Sequence, residues 1–151
     1  MIIRDILTIK GGETYSITPE KPVTEAIHQM VERDIGSLVV LDMAGKMVGI
    51  ITERDILRAS YKYACDLGKF KVADLMTSRL IVGGPEDTVD YVRGIMTENR
   101  VRHLPVVEGD DLLGIITFHD VAKACLSEAS FENLLLKRYI KHWPGQEDEE
   151  P

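Results

Sequence analysis

No stretch of this sequence stays apolar for long. Runs such as Leu38-Val39-Val40-Leu41 end after a few residues, far short of the roughly 20 that a membrane-crossing helix needs. No membrane partner is expected. Cysteine is scarce: Cys65 and Cys125 stand far apart and form no C-x-x-C pair. That excludes a disulfide scaffold and makes a reducing compartment, the cytoplasm, the expected location, with the two thiols small and buried. Basic charge is outweighed, with 18 Lys and Arg against 25 Asp and Glu for a net charge of −7. Nucleic-acid binding through bulk charge is therefore not expected, because phosphate affinity rests on clustered Lys and Arg. The histidines at 28, 103, 119 and 142 have no partner at ligand spacing within their elements, so no metal is expected. Glycine-rich phosphate loops and the nucleophile elbow are missing too. With no visible base, nucleophile or metal, an enzyme is not expected. The opening Met1-Ile2-Ile3-Arg4-Asp5 carries an acid where an export signal would be apolar, so no export is expected.

What is present is enough apolar content, 44% of 151 residues, to build a core, which excludes wholesale disorder. The chain also repeats itself. Residues 23–30 (VTEAIHQM) align with 89–96 (VDYVRGIM) at an offset of 66, which holds from Pro19 against Pro85 to Val40 against Val106. The match slips by one residue in a turn, Met43-Ala44-Gly45 against Gly109-Asp110, and resumes at 65 with Gly49-Ile50-Ile51-Thr52 against Gly114-Ile115-Ile116-Thr117. A deletion that falls in a turn marks a structural repeat. The lead-ins recur as well, Ile3-Arg4-Asp5-Ile6-Leu7 against Val72-Ala73-Asp74-Leu75-Met76.

Apolar residues at 23, 26, 27, 30 and 31 predict a helix over 23–33 with Pro22 at its first position. A Val-rich run at 38–41, a Gly-containing turn and a second run at 47–51 predict a hairpin. Thr52 then opens a second helix, with Ile56, Leu57, Ser60, Tyr61 and Ala64 on one side, and a short extended piece at 14–17 precedes the first. The unit is β-α-β-β-α, used twice. The expected fold class is α/β (α+β): two pseudo-symmetric repeats, residues 1–66 and 67–126, sharing one core because a unit of this size cannot hide both faces of its sheet. An amphipathic helix is expected over 127–143 and a disordered acidic tail over 144–151.

The chemistry falls on Gly49-x-x-Thr52-x-x-Asp55 and its echo Gly114-x-x-Thr117-x-x-Asp120. In each, a strand ends, a hydroxyl opens a helix, and a carboxylate follows one turn on. Two readings stand side by side. Thr-x-x-Asp is a capping-box variant that steadies the helix end. It is also a pair in which a carboxylate can take two hydrogen bonds from a ribose diol while the hydroxyl and helix N–H groups meet sugar or phosphate oxygens.

The duplicated pattern, Ile35-Gly36-Ser37-Leu38-Val39-Val40 with Gly49-Ile50-Ile51-Thr52-Glu53-Arg54-Asp55, then Val101-Arg102-His103-Leu104-Pro105-Val106-Val107 with Gly114-Ile115-Ile116-Thr117-Phe118-His119-Asp120, resembles a tandem cystathionine-β-synthase-type (CBS) pair, or Bateman module, over about residues 2–126. It resembles the small stand-alone CBS-pair proteins of bacteria. The resemblance implies a regulatory module that binds an adenosine-containing ligand (AMP, ADP, ATP, NAD or S-adenosylmethionine) in clefts between the repeats, sensing energy or redox cofactor level. It implies a homodimer and an unidentified regulated protein. A ligand-free interaction scaffold is the alternative. Carried onto this chain, one cleft would place Thr52 and Asp55 on ribose, Leu80, Ile81 and Val101 against adenine, and Arg102 and His103 on phosphate. The other would use Thr117 and Asp120 for ribose, Thr14, Tyr15 and Ile35 around the base, and Gly36 and Ser37 nearby. Ile50 and Ile115 would form the floors. The sequence departs from the family pattern at Gly83-Gly84, where β-branched residues or Thr are usual. The Asp120 cleft lacks a counterpart of Arg102-His103, so a phosphate there would need Arg54, His119 or a partner chain. The Asp55 cleft is the one expected to favour a phosphorylated ligand.

Overall fold

The computed structural model describes residues 1–11 and 13–126. The elements follow the repeat: α1 (Ile3–Lys10), β1 (Ser16–Ile17), α2 (Val23–Arg33), β2 (Ser37–Leu41), β3 (Met47–Thr52) and α3 (Glu53–Lys62), then α4 (Val72–Leu75), α5 (Val89–Asn99), β4 (His103–Glu108), β5 (Asp111–Thr117) and α6 (Phe118–Cys125). The helix expected over 127–143 and the tail over 144–151 lie outside the described residues.

Each hairpin carries the same irregularity. β2 and β3 pair antiparallel with a register shift at Val40/Leu41, and β4 and β5 with one at Val106/Val107. The slip between the repeats falls in the turn, as expected. In the first, Asp42 Oδ1 accepts from the backbone N–H groups of Ala44 and Lys46, both at 2.9 Å. In the second, Gly109 turns the chain at φ +62, a region glycine enters without steric penalty. β1 lies parallel to β2 as a third strand, but in the second repeat its counterpart shrinks to one parallel bridge, Gly83 to Val106. The Gly83-Gly84 departure has a local cause here. A Cβ on Gly83 would stand 2.9 Å from Leu104 Cδ2, so the buried leucine occupies the space a side chain would take.

The buried side chains divide into two clusters rather than the single shared core expected. One gathers Val23, Met30, Leu38, Val40 and Ile51; the other gathers Val92, Met96, Leu104, Val106 and Ile116. The lead-ins cross between them. Ile3 and Ile6 of α1 sit in the second cluster, while Leu67 and Val72, from the segment before the second repeat, sit in the first. Each fully buried aliphatic side chain of this kind stabilises by about 1.5–3 kcal/mol, so the crossed lead-ins tie the halves together.

Several expectations are corrected. Pro22 is the N-cap of α2, not its first helical residue. Val31 is exposed, so the buried stripe of α2 narrows to Val23, Ala26 and Met30. On α3 the buried residue is Ala59; Leu57 and Tyr61 face outward. The stripe drawn through 57 and 61 is a quarter-turn off, because the helix meets its core with Ile56 and Ala59. Cys65 and Cys125 are both exposed rather than buried.

Candidate functional site

Both Thr-x-x-Asp junctions are fully formed capping boxes. Thr52 is the N-cap of α3: Asp55 N–H donates to Thr52 Oγ1 at 3.3 Å, and Asp55 Oδ2 accepts from Thr52 N–H at 2.9 Å. In α6 the same pair is Asp120 N–H to Thr117 Oγ1 at 3.2 Å and Thr117 N–H to Asp120 Oδ2 at 2.8 Å. Capping is thus part of what these residues do. Beyond the cap the two carboxylates meet different partners, Thr77 at Asp55 Oδ1 and Lys10 at Asp120 Oδ2, the capping oxygen itself.

At the first junction, Asp55 Oδ1 accepts only from Thr77 Oγ1, at 3.0 Å, among the contacts of the described residues. Thr77 is held there by its backbone, which pairs both ways with Ile50: Ile50 N–H to Thr77 O at 2.9 Å and Thr77 N–H to Ile50 O at 2.8 Å. Gly49 allows this approach, since a Cβ on it would stand 3.0 Å from Thr77 O and 2.8 Å from Met76 Sδ.

A cleft of about 810 Å³ opens over this junction, within the range of small-molecule sites. All eight residues expected around Asp55 line it: Ile50, Thr52 and Asp55 from the first repeat, with Leu80, Ile81, Val101, Arg102 and His103 from the second. Sequence reasoning missed other linings. Arg54, Arg58, Arg79 and Arg100 join Arg102, so five guanidinium groups face two carboxylates, Glu53 and Asp55. Arg54, considered for the other cleft, lies in this one, its Nη1 donating to Arg100 O across the repeats at 3.2 Å. The signal that could have found these cations is the alignment itself: positions 54, 58, 100 and 102 are Arg here, whereas their counterparts are His119, Lys123, Asp34 and Gly36.

His103 stands where the repeats meet. A Cβ on Gly36 would lie 3.1 Å from His103 Nε2 and 3.0 Å from Glu53 Oε1. The bare glycine is what lets these two side chains approach, and Gly36 therefore belongs beside the Asp55 cleft. His103 Nδ1 is buried with no hydrogen-bond partner among the described residues. Burial pushes the His103 pKa below its ordinary value; Glu53 and Asp120 oppose the shift, while Lys10 and Arg102 add to it.

The residues expected around Asp120 are not drawn into that cleft. Thr14 lies near Gly114. Tyr15 has the Arg33 guanidinium stacked 4.1 Å over its ring, and it packs with Ile35 against the first core. Ser37 pairs with Thr52 at the end of the β2–β3 ladder. Ile115 O accepts from Lys10 Nζ at 3.0 Å, and the same ammonium donates to Asp120 Oδ2 at 2.8 Å. Burial pushes the Asp120 carboxyl upward, but the Lys10 ammonium and the Thr117 N–H and hydroxyl outweigh it, and the net shift is downward. A smaller cavity of about 370 Å³, between α2 and the β2–β3 turn, contains none of the residues selected from sequence. Among the described residues no helix is long and apolar enough to cross a membrane, and no group of three or more His, Cys, Asp or Glu could hold a metal ion.

Comparison with known proteins adds to this geometry. The chain matches the family model of the CBS domain twice, over residues 3–62 and 72–127. It is 33% identical over 147 residues to the mitochondrial CBS domain-containing protein CBSX3 of Arabidopsis thaliana, covering 92% of this chain and 71% of that one. A CBS-domain containing protein from Agrobacterium tumefaciens superposes with a TM-score of 0.80 at 33% identity, covering 83% of this chain and all of that structure. The CBS domain pair of protein MJ0100, solved in complex with 5′-methylthioadenosine and S-adenosyl-L-methionine, has a TM-score of 0.73 at 26% identity and covers 83% of this chain and 95% of its own.

Proposed function

The chain belongs to the CBS-domain family, carrying two repeats of it, and on that footing we propose that it is a ligand-sensing regulatory module whose Asp55 cleft takes a phosphorylated adenosine ligand. The observation that carries this is the composition of one cleft. An apolar wall of Ile50, Leu80, Ile81 and Val101, a Thr52–Asp55 pair whose second carboxylate oxygen is held by the Thr77 hydroxyl, and five arginines line one cleft of about 810 Å³. Flat apolar contact suits adenine. The Asp55 carboxylate suits the ribose diol, and guanidinium forks suit phosphate oxygens.

Five cations against two carboxylates favour AMP, ADP, ATP or NAD over S-adenosylmethionine, whose sulfonium brings positive charge of its own. The adenosine-containing ligands of MJ0100 support the adenosine half of this reading. Binding would bridge the repeats, because Thr52, Asp55, Arg54 and Arg58 come from one and Val101, Arg102 and His103 from the other. A ligand that fits one arrangement of the halves better than another shifts the population toward it. The reading assigns no catalytic residue. It places the chain in the cytoplasm, as a homodimer acting on a protein still to be identified. Tyr61 on α3, Tyr91 on α5 and Phe118 on α6 leave apolar surface for a second copy to cover, and light scattering that returns a monomer at high concentration would remove the dimer.

The formed capping boxes favour one rival, a scaffold in which Thr52 and Asp55 only steady α3. Calorimetric titration with AMP, ATP, NAD and S-adenosylmethionine separates the two. The sensing reading expects saturable heat that is lost in Asp55→Ala and weakened in Arg102→Ala. Absence of heat with every ligand leaves the scaffold.

A further inference from the structure

The two junctions share a motif but not an environment. In the second lead-in α4 stops at Leu75, so the backbone of Thr77 reaches Ile50 and its hydroxyl reaches Asp55. In the first, α1 runs on to Lys10. Thr8, the counterpart of Thr77, is spent on its own helix, donating to Arg4 O at 2.9 Å. Lys10, the counterpart of Arg79, turns inward instead. Its ammonium takes both acceptors that Thr77 takes in the other half: Ile115 O in place of Ile50 O, and the Asp120 carboxylate in place of that of Asp55. The Lys10 ammonium bonds Oδ2, the same oxygen that caps α6, and the Asp120 side chain is only 18% exposed, so a sugar diol would have to share a confined carboxylate with a charged donor. Two of the cations that would compensate have no counterpart, because Asp34 and Gly36 stand where the other half has Arg100 and Arg102.

We propose that Lys10 is the residue that makes the two sites unequal: bound to Asp120 and Ile115, it closes the second junction, so that each chain holds one nucleotide, at Asp55. This inference rests on the ligand reading above for the first site and adds a specificity-determining residue for the second.

The test counts sites by equilibrium dialysis with ATP and, separately, AMP. Unaltered protein is expected to bind one equivalent per chain, lost in Asp55→Ala and kept in Asp120→Ala. Lys10→Met, or Lys10→Gln should the first variant not fold, is expected to bind two, with the added one removed by Asp120→Ala. Two equivalents in the unaltered chain, one of them lost in Asp120→Ala, overturn the inference. So does a folded Lys10 variant that still binds one. Binding by the Lys10 variant alone, lost on Asp120→Ala, supports the inference while the Asp55 reading fails. No binding by any form ends both.

Discussion

The hydroxyl of Thr77 donates to Asp55 Oδ1 at 3.0 Å, so the carboxylate that caps α3 is also gripped from the segment leading into the second repeat. Asp55 therefore has a structural and a proposed ligand-binding role in one group. Variants can divide them. Thr52→Ala and Asp55→Ala each remove a cap partner and are expected to cost about 0.5–2 kcal/mol in chemical denaturation. Asp55→Ala should also reduce nucleotide affinity tenfold or more, and Thr52→Ala by less. Equal loss of stability with unchanged affinity would leave Asp55 as a cap.

The pH dependence of stability is expected to report on His103. Its pKa lies below the ordinary histidine value, chiefly through burial. Between that lowered pKa and the unfolded value near 6.5, the unfolded chain binds more protons than the folded one, so stability rises with pH across this window. Urea denaturation at pH 7.5 and 5.5 should show the folded state weaker at the lower pH. His103→Gln should flatten that part of the slope. A slope unchanged by the substitution would assign the effect to other groups.

The Lys10–Asp120 pair acts in a more acidic range. Asp120 titrates below its ordinary value, so what it contributes is present above an unfolded pKa of about 3.9 and lost as pH falls through the folded one. The lysine side chain is 37% exposed, so screening holds the pair to about 0.2–1 kcal/mol. In a His103→Gln background, which removes the influence of Lys10 on His103, the stability difference made by Lys10→Met should stay constant from pH 7 to 5 and close below about pH 4. A difference that persists at pH 2.5 would mean Lys10 contributes through its bond to Ile115 O or the packing of its alkyl stem rather than through Asp120.

Much of this architecture was legible in sequence because duplication supplies an internal control. Val23–Arg33 matches the expected helix, and the hairpin strands match within a residue. The Asp55 lining was readable because the family resemblance carries Leu80, Ile81, Val101 and Arg102-His103 onto it. Three things were not. The orientation of α3 was misjudged because Leu57 and Tyr61 fit a helical stripe yet face outward, and periodicity alone does not reveal which stripe meets a neighbour. The crossing of the lead-ins depends on tertiary packing of Ile3 and Val72. The closure of the Asp120 junction depends on how far α1 extends, and the motif carries no trace of that.

Arg100 ends α5 in the left-handed region, at φ +53, as Asp34 does for α2 at φ +52. Aspartate tolerates this conformation better than arginine, and glycine adopts it freely. Arg100→Gly is therefore expected to raise the stability of the empty protein by up to about 1 kcal/mol, and Asp34→Gly by less. Under the proposed function the same Arg100→Gly should weaken ATP binding, because it removes one of five cleft arginines. Calorimetry and thermal melting on one preparation would show both, and a stabilised variant with undiminished affinity would remove Arg100 from the phosphate site.

The glycines that open the two motifs should differ in their tolerance of a methyl group. A Cβ on Gly49 meets Thr77 O at 3.0 Å as well as Met76 Sδ at 2.8 Å, and a backbone carbonyl in a two-way bridge to Ile50 cannot yield without breaking that bridge. A Cβ on Gly114 meets the end of the Leu7 side chain at 3.0 Å, which can rotate. Gly49→Ala is expected to cost about 1–3 kcal/mol by overpacking, and Gly114→Ala less. The damage from Gly49→Ala should also reach the cleft, since moving Thr77 releases Asp55 Oδ1 from the donor that orients it. Nucleotide affinity should then fall in Gly49→Ala and hold in Gly114→Ala. Equal effects of the two substitutions on melting and on affinity would mean that the segment at Thr77 is as yielding as the leucine side chain, and that the Asp55 carboxylate keeps its orientation without it.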